Sequence, residues 1–154
     1  MTIEIGAEAP AFTLPDTDKS EVSLADYEGK PVALVFIPFA FTGGCEGELC
    51  AIRDNYSQFT DAGVQVIMIG CDRHPSLAEW RRQQGYEFPM LSDGWPHGAV
   101  CSAYGVFNED MGCAWRATVM IDAEGKVADV HQTGGLGDTR SIDDFQASLA
   151  KLGA

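Results

Sequence analysis

One stretch of the chain places a cysteine at the point where a buried strand turns into a helix. Residues 31–37 are apolar, and their length and their β-branched and aromatic content are typical of a strand buried on both faces. Beyond the cysteine, apolar residues recur at spacings of three, four and three, which is the pattern of one helix face: Leu49, Ile52, Tyr56 and Phe59. We therefore predict that Cys45 lies at the start of a helix that continues to about Gly63.

The thiol of Cys45 would be favoured in its ionised form at a helix start. Backbone N–H groups without partners and the positive end of the helix dipole both stabilise a thiolate, which is the reactive form of cysteine. A cysteine at this position is equally consistent with a small buried core residue. The spacing alone leaves both interpretations open.

The charge of the chain excludes some classes of partner. Ten basic and 23 acidic side chains give a formal charge of −13, which argues against binding to nucleic acid or to an anionic membrane surface. The same negative charge disfavours a thiolate, so an ionised Cys45 would need local donors and a nearby cation.

Length and cysteine usage are typical of an intracellular domain. The 154 residues are expected to form a single domain, 1–154, and the sequence shows neither a targeting signal nor a stretch long enough to span a membrane. Five cysteines without a Cys-x-x-Cys pair read as free thiols in a reducing compartment, so we expect a cytoplasmic protein. The three histidines have no metal-ligand spacing, and we predict neither a metal nor a cofactor.

Strands and helices alternate along the chain and end in a hairpin and a helix. We predict an α/β fold with a mixed central sheet flanked by helices. The glycine-rich residues 134–138 lack the Lys-Ser/Thr ending of a phosphate loop and are predicted to be a flexible connection. The other predicted elements are a hairpin at 9–14 and 21–24, a strand at 64–70, a helix from about 72 to Gly85, an extended piece at 88–93, a helix around 96–104, a hairpin at 117–121 and 126–132, and a helix at 141–152.

The residues around Cys45 follow the pattern Pro-x-x-x-Thr-x-x-Cys, formed by Pro38, Thr42 and Cys45 and followed by Glu48. This pattern resembles that of the peroxiredoxins. The resemblance implies a thioredoxin-like fold and a thiol peroxidase that reduces hydrogen peroxide or organic hydroperoxides through Cys45.

The resemblance extends beyond this loop. Residues 103–110 and 115–122 are also similar to the peroxiredoxins, and the order of elements matches the family over nearly the whole chain. Residues 38–43 and 47–49 look most like the alkyl hydroperoxide reductase E type. That type, by resemblance, uses one cysteine and an external thiol.

Four side chains are predicted to assist Cys45. Thr42 precedes it by three residues, so its hydroxyl could face the sulfur and bind the peroxide, or it could be an ordinary helix cap. Arg116 is the only charged residue between Gly112 and Asp122, and the resemblance places it beside Cys45 as the active-site cation. Without the resemblance, the sequence position of Arg116 is more typical of a surface residue at the end of a strand.

The resemblance also assigns roles to Glu48 and Pro38. Glu48 lies one helical turn after Cys45, and its carboxylate would oppose a thiolate unless it were paired, so we assign it to orienting Arg116. Pro38 lacks an N–H donor that would compete at the site, and by resemblance its ring shields the pocket from water.

The return of an oxidised Cys45 to the thiol depends on a second sulfur. The Cys45-x4-Cys50 spacing is similar to the Q-type, bacterioferritin-comigratory group, and we predict that Cys50 resolves the sulfenic acid. Positions 45 and 50 differ by about 140° around a helix and about 7.5 Å along it, so the first turn would have to unwind. The alternative is that Cys50 is a bystander on the helix flank. Cys71 is at the C-terminal end of the second buried strand, on the edge where such folds place their sites. Cys113 is a weaker alternative as the resolving residue, and Cys101 is expected to pack in the core.

The predicted partners are a hydroperoxide and an external reductant, either thioredoxin or a thiol of the mycothiol and mycoredoxin kind. By resemblance the chain forms a homodimer. Two other functions remain open on the same fold: a thiol–disulfide oxidoreductase, against which the lack of Cys-x-x-Cys counts, and a peroxide-sensing redox switch built on Cys45 and Cys50.

Overall fold

The strand that precedes Cys45 is the centre of a five-stranded sheet. The computed structural model describes residues 2–152 and gives the sheet order β5-β4-β3-β8-β9. The strands are β1 (Thr13–Pro15), β2 (Glu21–Ser23), β3 (Val32–Phe36), β4 (Gln65–Gly70), β5 (Met90–Ser92), β6 (Phe107–Asn108), β7 (Cys113–Ala114), β8 (Ala117–Ile121) and β9 (Val127–Gln132). Strands β3, β4 and β5 are parallel, whereas β8 and β9 are antiparallel to their neighbours, so the predicted mixed sheet is confirmed.

Helices cover both faces of the sheet. They are α1 (Gly43–Asp54), α2 (Tyr56–Asp61), α3 (His74–Gln84), α4 (Ala99–Ala103) and α5 (Ile142–Ala150), with a short 3-10 helix at Leu24–Tyr27. Every residue of β3 is buried, as expected of a strand packed on two sides.

The alternation of side chains along β3 divides the core in two. Val32, Leu34 and Phe36 face one core, which includes side chains from β1 and α4. Ala33 and Val35 face the other, which includes side chains from α1, α3 and α5. Cys45 belongs to this second core, so the predicted reactive cysteine lies on the face covered by α1, α3 and α5.

The prediction of one continuous helix from Cys45 to Gly63 is wrong. Helix α1 ends at Asp54, and α2 begins at Tyr56 after an interruption at Asn55. The Asn55 side chain donates a hydrogen bond to the carbonyl of Ala51 (2.8 Å), which occupies an acceptor at the helix end. The stripe of apolar residues still packs, because Phe59 is buried in the same core as Leu49.

Other elements are shorter than predicted. The helix predicted around 96–104 is restricted to α4, and the strand expected at 88–93 is restricted to β5. The small hairpin of β6 and β7 was not predicted, because two-residue strands carry no readable alternation. The stop at Gly85 is confirmed, since this residue has the left-handed φ of 68° that ends many helices.

The loop before Cys45 begins at the carboxyl ends of the parallel strands. The N–H of Ile37 donates to the carbonyl of Ile69 (3.0 Å), which keeps the ends of β3 and β4 together. Just beyond β4, the Asp72 carboxylate accepts the N–H of Ala40 (2.8 Å) and anchors the loop. Among the described residues, no helix is long and apolar enough to cross a membrane.

Candidate active site

Cys45 is the third residue of α1, and its side chain is completely buried. Thr42 is the residue before the helix, and its carbonyl accepts the N–H of Glu46 (2.9 Å). The sulfur is therefore in the first turn of the helix, where backbone N–H groups lack helical partners and the helix dipole is positive. The predicted helix start is confirmed.

The Thr42 hydroxyl forms a contact that the sequence did not suggest. It donates a hydrogen bond to the carbonyl of Phe39 (2.9 Å) and does not cap the helix. This bond joins the two ends of the short loop 39–42. The hydroxyl oxygen keeps its lone pairs for accepting a hydrogen bond, and its role toward a peroxide stays a prediction.

Arg116 reaches the first turn of α1, as the resemblance implied. Its Nη2 atom would be 2.7 Å from a Cβ atom built on Gly44, the residue before Cys45. Its Nε donates to the carbonyl of Leu136 (2.5 Å) and its Nη1 to Oε1 of Glu48 (2.5 Å). The guanidinium is thus fixed from two sides, and its free edge lies against the backbone beside Cys45.

Glu48 pairs with two arginines. Its Oε2 accepts the backbone N–H (2.8 Å) and the Nε–H (2.7 Å) of Arg140, and its Oε1 accepts Nη2 of Arg140 (3.0 Å) in addition to Arg116. Burial by itself would raise the pKa of the Glu48 carboxyl, but the hydrogen bonds and charge of Arg140, assisted by Arg116, hold that pKa below its ordinary value. The carboxylate is therefore ionised and fully paired.

Arg140 is a site residue that the sequence analysis missed. Its side chain is completely buried, and it also donates to the Thr118 hydroxyl and to the carbonyl of Phe36, both at 2.9 Å. It therefore joins β3, β8 and α1 at one point. The sequence did contain a signal for it, because Arg140 is the only arginine after Arg116 and directly precedes Ser141, the N-cap residue of α5.

The charges of Arg116, Arg140 and Glu48 sum to a positive value, which favours an anion nearby. Two arginines and one glutamate leave one net positive charge against the first turn of α1, in a chain whose formal charge is −13. All three side chains are buried, so water screens this charge weakly. A buried positive charge therefore lies against the turn that contains Cys45.

The loop before Cys45 and the first turn of α1 are held by contacts with Trp80 of α3. Phe41 has a φ of 62°, which is rare for a bulky residue, and its ring packs on Trp80 of α3 (6.1 Å between centroids). The indole N–H of Trp80 donates to Oε1 of Glu46 (3.0 Å) and ties the first turn of α1 to α3. Pro38 is buried at the end of β3, which is consistent with its predicted shielding role.

Cys50 lies in the same helix as Cys45 and points elsewhere. Its sulfur is 3.7 Å from Oε1 of Gln84 and 3.6 Å from the hydroxyl of Tyr86, at the end of α3. It is partly exposed, whereas Cys45 is completely buried. A disulfide between the two requires α1 to unwind locally, as the helix geometry predicted.

The remaining cysteines are all buried free thiols. Cys113 is in β7, and burial raises the pKa of its thiol to about 11. It stays protonated at neutral pH, which weakens it as a resolving residue. The sulfurs of Cys71 and Cys101 and a carboxylate oxygen of Asp93 lie within 4.8 Å of one another.

Comparison with protein families and sequences gives consistent matches. The AhpC/TSA family matches residues 5–130 of the chain. Over 150 residues, the chain is 44% identical to alkyl hydroperoxide reductase E of Mycobacterium tuberculosis H37Rv, an alignment that covers 96% of this chain and 98% of the relative. Over 152 residues it is 34% identical to peroxiredoxin Bcp of Escherichia coli K12, with coverages of 95% and 89%.

Solved structures agree with the sequence matches. The crystal structure of peroxidoxin BcpB from Mycobacterium tuberculosis superposes with a TM-score of 0.86 at 29% identity, over 97% of this chain and 96% of that one. Mycobacterium tuberculosis AhpC superposes with a TM-score of 0.87 at 26% identity, over 99% and 94%. Both similarities extend over the sheet and the site described above.

Proposed function

The chain belongs to the AhpC/TSA family of peroxiredoxins, and from this premise we propose that Cys45 is the sulfur with which it reduces hydroperoxides. Family membership makes it a thiol-dependent peroxidase. The observation that supports Cys45 is the buried cluster of Arg116, Glu48 and Arg140 against the first turn of α1. Cys45 lies in the first turn of a helix of 12 residues. Among residues 2–152, Cys101 is the only other cysteine in the first turn of a helix, and its helix α4 has 5 residues.

The reaction is a displacement at oxygen. The Cys45 thiolate attacks one oxygen of the hydroperoxide, the O–O bond breaks, and the other oxygen leaves with the bonding electrons and takes up a proton to become water or an alcohol. Cys45 becomes a sulfenic acid. Arg116 stabilises the negative charge as it moves from sulfur to the leaving oxygen, and Glu48 and Arg140 hold Arg116 in place.

Thr42 and Pro38 complete the proposed site. The Thr42 hydroxyl donates to the Phe39 carbonyl, so it is oriented to accept a hydrogen bond from the proton of the peroxide. The buried Pro38 offers no N–H to compete for the sulfur. We propose hydrogen peroxide and small organic hydroperoxides as substrates, because both are neutral and the strong negative charge of the chain does not repel them.

Cys50 is proposed as the resolving residue. It attacks the sulfur of the Cys45 sulfenic acid after the first turns of α1 unwind, which forms a disulfide and releases water. Gly43, Gly44 and Gly47 lower the cost of unwinding, because each glycine weakens a helix by up to about 1 kcal/mol relative to alanine. A dithiol protein such as thioredoxin then reduces the disulfide; without resolution, a mycothiol or mycoredoxin type of reductant is required.

Assembly and location follow as smaller proposals. We propose a homodimer, supported by four large apolar side chains that are exposed on the single chain: Ile5, Phe41, Trp95 and Met111. A reducing compartment such as the cytoplasm is supported by five cysteines that are all free thiols. Light scattering at several protein concentrations tests the dimer.

The proposed function is tested by intact-mass analysis after one equivalent of hydrogen peroxide, with a sulfenic-acid trap. The wild type is expected to lose two hydrogen atoms, mapped to Cys45 and Cys50. The Cys50→Ser variant should instead accumulate a trapped sulfenic acid on Cys45, and Cys45→Ser should lose peroxidase turnover. Trapped sulfenic acid on Cys45 in the wild type, with no disulfide, would reject Cys50 as the resolving residue.

Sustained turnover separates the enzyme from its alternatives. A peroxide sensor needs only stoichiometric oxidation, whereas an enzyme reduces many equivalents of peroxide when a reductant is supplied. A thiol–disulfide oxidoreductase would reduce a disulfide substrate and leave hydroperoxide unchanged. Peroxide consumption that continues beyond one equivalent, and that Cys45→Ser abolishes, supports the proposal over both.

A further inference from the structure

Two cysteines belong to the core on the other side of the sheet from Cys45. Cys71 directly follows β4, and Cys101 lies in α4, yet their sulfurs are only 4.0 Å apart. Both side chains belong to the core that contains β1 and α4, whereas Cys45 belongs to the opposite core. They form a thiol pair that is separate from the proposed active site.

A buried carboxylate stands beside this pair. Asp93 is completely buried, and its two oxygens accept the N–H groups of Val100 (3.1 Å) and Cys101 (2.8 Å) at the start of α4. One of its oxygens lies within 4.8 Å of both sulfurs. The carboxylate is therefore fixed in a position where it can take up and return a proton during chemistry at the pair.

The two sulfurs differ in their environment. Cys71 is 7% exposed as a residue and Cys101 is 0% exposed, so Cys71 is the more accessible residue of the pair. The hydrogen bond to Cys71 raises the pKa of the Cys101 thiol, and burial and the charge of Asp93 raise it further. The Cys101 thiol is therefore held in its protonated form beside the sulfur of Cys71.

We propose that Cys71 and Cys101 are a second redox-active dithiol, which a hydroperoxide converts to an intramolecular disulfide without the participation of Cys45. The arrangement supplies a nucleophile at Cys71, a second thiol in contact with it and a base at Asp93. It lies beyond the peroxidase chemistry assigned to Cys45 and uses the same class of oxidant.

The proposed reaction balances in two steps. Asp93 accepts the proton of the Cys71 thiol as the sulfur attacks one oxygen of the hydroperoxide, the O–O bond breaks, and the leaving oxygen takes that proton, so that Cys71 becomes a sulfenic acid. Cys101 then passes its proton to Asp93, and its sulfur attacks the sulfur of Cys71. The hydroxide that leaves takes the proton back from Asp93 as water. One hydroperoxide is reduced by two electrons, and two thiols are oxidised to one disulfide.

The geometry allows this bond to form with a small movement. The sulfurs must approach from 4.0 Å to the disulfide length of about 2 Å, which is a change of about 2 Å. Cys71 lies in the connection after β4, outside regular structure, and can absorb this movement. By contrast, Cys45 and Cys50 require a helix to unwind. Because both sulfurs are buried, we expect the first step to be slower than oxidation of Cys45.

A metal ion is the main alternative for this cluster. Two sulfurs and a carboxylate are ligands for zinc, but structural zinc sites use four protein ligands, and the cluster offers three among residues 2–152. Asp93 is also already engaged by two N–H groups. These observations favour the dithiol.

The test removes the other three cysteines from the full chain. The variant Cys45→Ser/Cys50→Ser/Cys113→Ser is exposed to hydrogen peroxide, quenched by alkylation under denaturing conditions and examined by intact mass and peptide mapping. We expect both thiols to disappear together, with the loss of two hydrogen atoms and a cross-linked peptide joining residues 71 and 101. Adding Cys101→Ser should abolish the cross-link and leave a trappable sulfenic acid on Cys71.

Two further measurements make the outcome decisive. The wild-type chain, which does not depend on the folding of the variant, should show the same cross-link after more than one equivalent of peroxide. Thiols that stay alkylatable at both positions in both proteins, or a stoichiometric zinc ion that these residues hold, would overturn the proposal. Steady-state turnover of Cys71→Ser is measured separately, so a failure of the peroxidase assignment is distinguishable from a failure of the dithiol.

Discussion

Arg140 holds Glu48 through three hydrogen bonds, from its backbone N–H and its Nε to Oε2 and from its Nη2 to Oε1. Glu48 in turn binds Arg116, whose free edge lies against the turn that contains Cys45. The position of Arg116, the proposed active-site cation, therefore depends on a residue 95 positions away from Cys45 along the chain, the distance from 45 to 140. This dependence can be measured through both stability and activity.

Replacing Arg140 with alanine is expected to lower the free energy of unfolding by about 3 kcal/mol, because a buried carboxylate loses most of its partners. Urea denaturation measures this change. The matched control is Arg82→Ala, which breaks the exposed pair between Arg82 and Glu79 and should change stability by less than about 1 kcal/mol. Equal effects of the two substitutions would show that the buried cluster does not stabilise the fold.

The Arg140→Lys variant tests whether Arg140 positions Glu48 and Arg116, because it keeps the positive charge at position 140. Lysine cannot provide the forked contact with both oxygens of Glu48, so Glu48 and Arg116 should lose their fixed orientation. We expect kcat/KM for hydrogen peroxide to fall by about tenfold, which corresponds to about 1.4 kcal/mol, while the circular dichroism spectrum stays unchanged. An unchanged kcat/KM would remove Arg140 from the site.

The strand and the helix start around Cys45 could be predicted, because a buried strand followed by an apolar helical stripe is a local pattern. The end of that helix could not. The break at Asn55 depends on a side chain bonding the carbonyl of Ala51 in place of the helix, and the same sequence would also allow the helix to continue.

The proximity of Arg116 to the turn that contains Cys45 was expected only from the family resemblance, and the role of Arg140 was missed. The contacts of both arginines join residues that are far apart in the sequence, and no spacing within a single segment encodes them. The contact between Cys71 and Cys101 has the same origin, since the two residues are on different elements. Long-range polar contacts of this kind are set by tertiary packing, which single-sequence patterns do not report.

The pH dependence of stability should reflect Glu48. Its pKa in the fold lies below the ordinary value of 4.5, because Arg140 and Arg116 favour the ionised form more than burial opposes it. A carboxyl whose pKa is lower in the folded than in the unfolded state contributes stability that is complete above the unfolded pKa and is lost as the pH falls through the folded pKa.

We therefore expect the stability difference between the wild type and Glu48→Gln to be constant above about pH 5.5 and to shrink as the pH falls below about 4.5. Urea denaturation of both proteins from neutral to acidic pH measures it. A difference that grows on acidification would contradict the sign of the shift.

Gly44 is expected to be required for activity because of its neighbour. A Cβ atom at this position would lie 2.7 Å from Nη2 of Arg116, which is held by Glu48 and by the Leu136 carbonyl and cannot move freely. Gly44→Ala should therefore displace the guanidinium from the first turn and lower the rate of Cys45 oxidation by about tenfold. Stopped-flow fluorescence of peroxide reduction provides the measurement.

The helix offers a matched control for this substitution. Gly43 has nothing within 4 Å of its Cβ position, so Gly43→Ala adds the same methyl group to the same turn without touching Arg116. Its oxidation rate should match that of the wild type. If both variants oxidise equally slowly, helix stiffness rather than the position of Arg116 controls the reaction.

The rate of Cys45–Cys50 disulfide formation should depend on Glu46. The indole N–H of Trp80 donates to Oε1 of Glu46 (3.0 Å), and this bond must break when the first turn of α1 unwinds. A hydrogen bond of this kind contributes about 1 kcal/mol, so Glu46→Ala should speed disulfide formation about fivefold. Glu46→Gln retains an acceptor for the indole and should resemble the wild type. Quenched-flow alkylation after one equivalent of peroxide follows the reaction, and a slower or unchanged rate in Glu46→Ala would show that unwinding of this turn does not limit resolution.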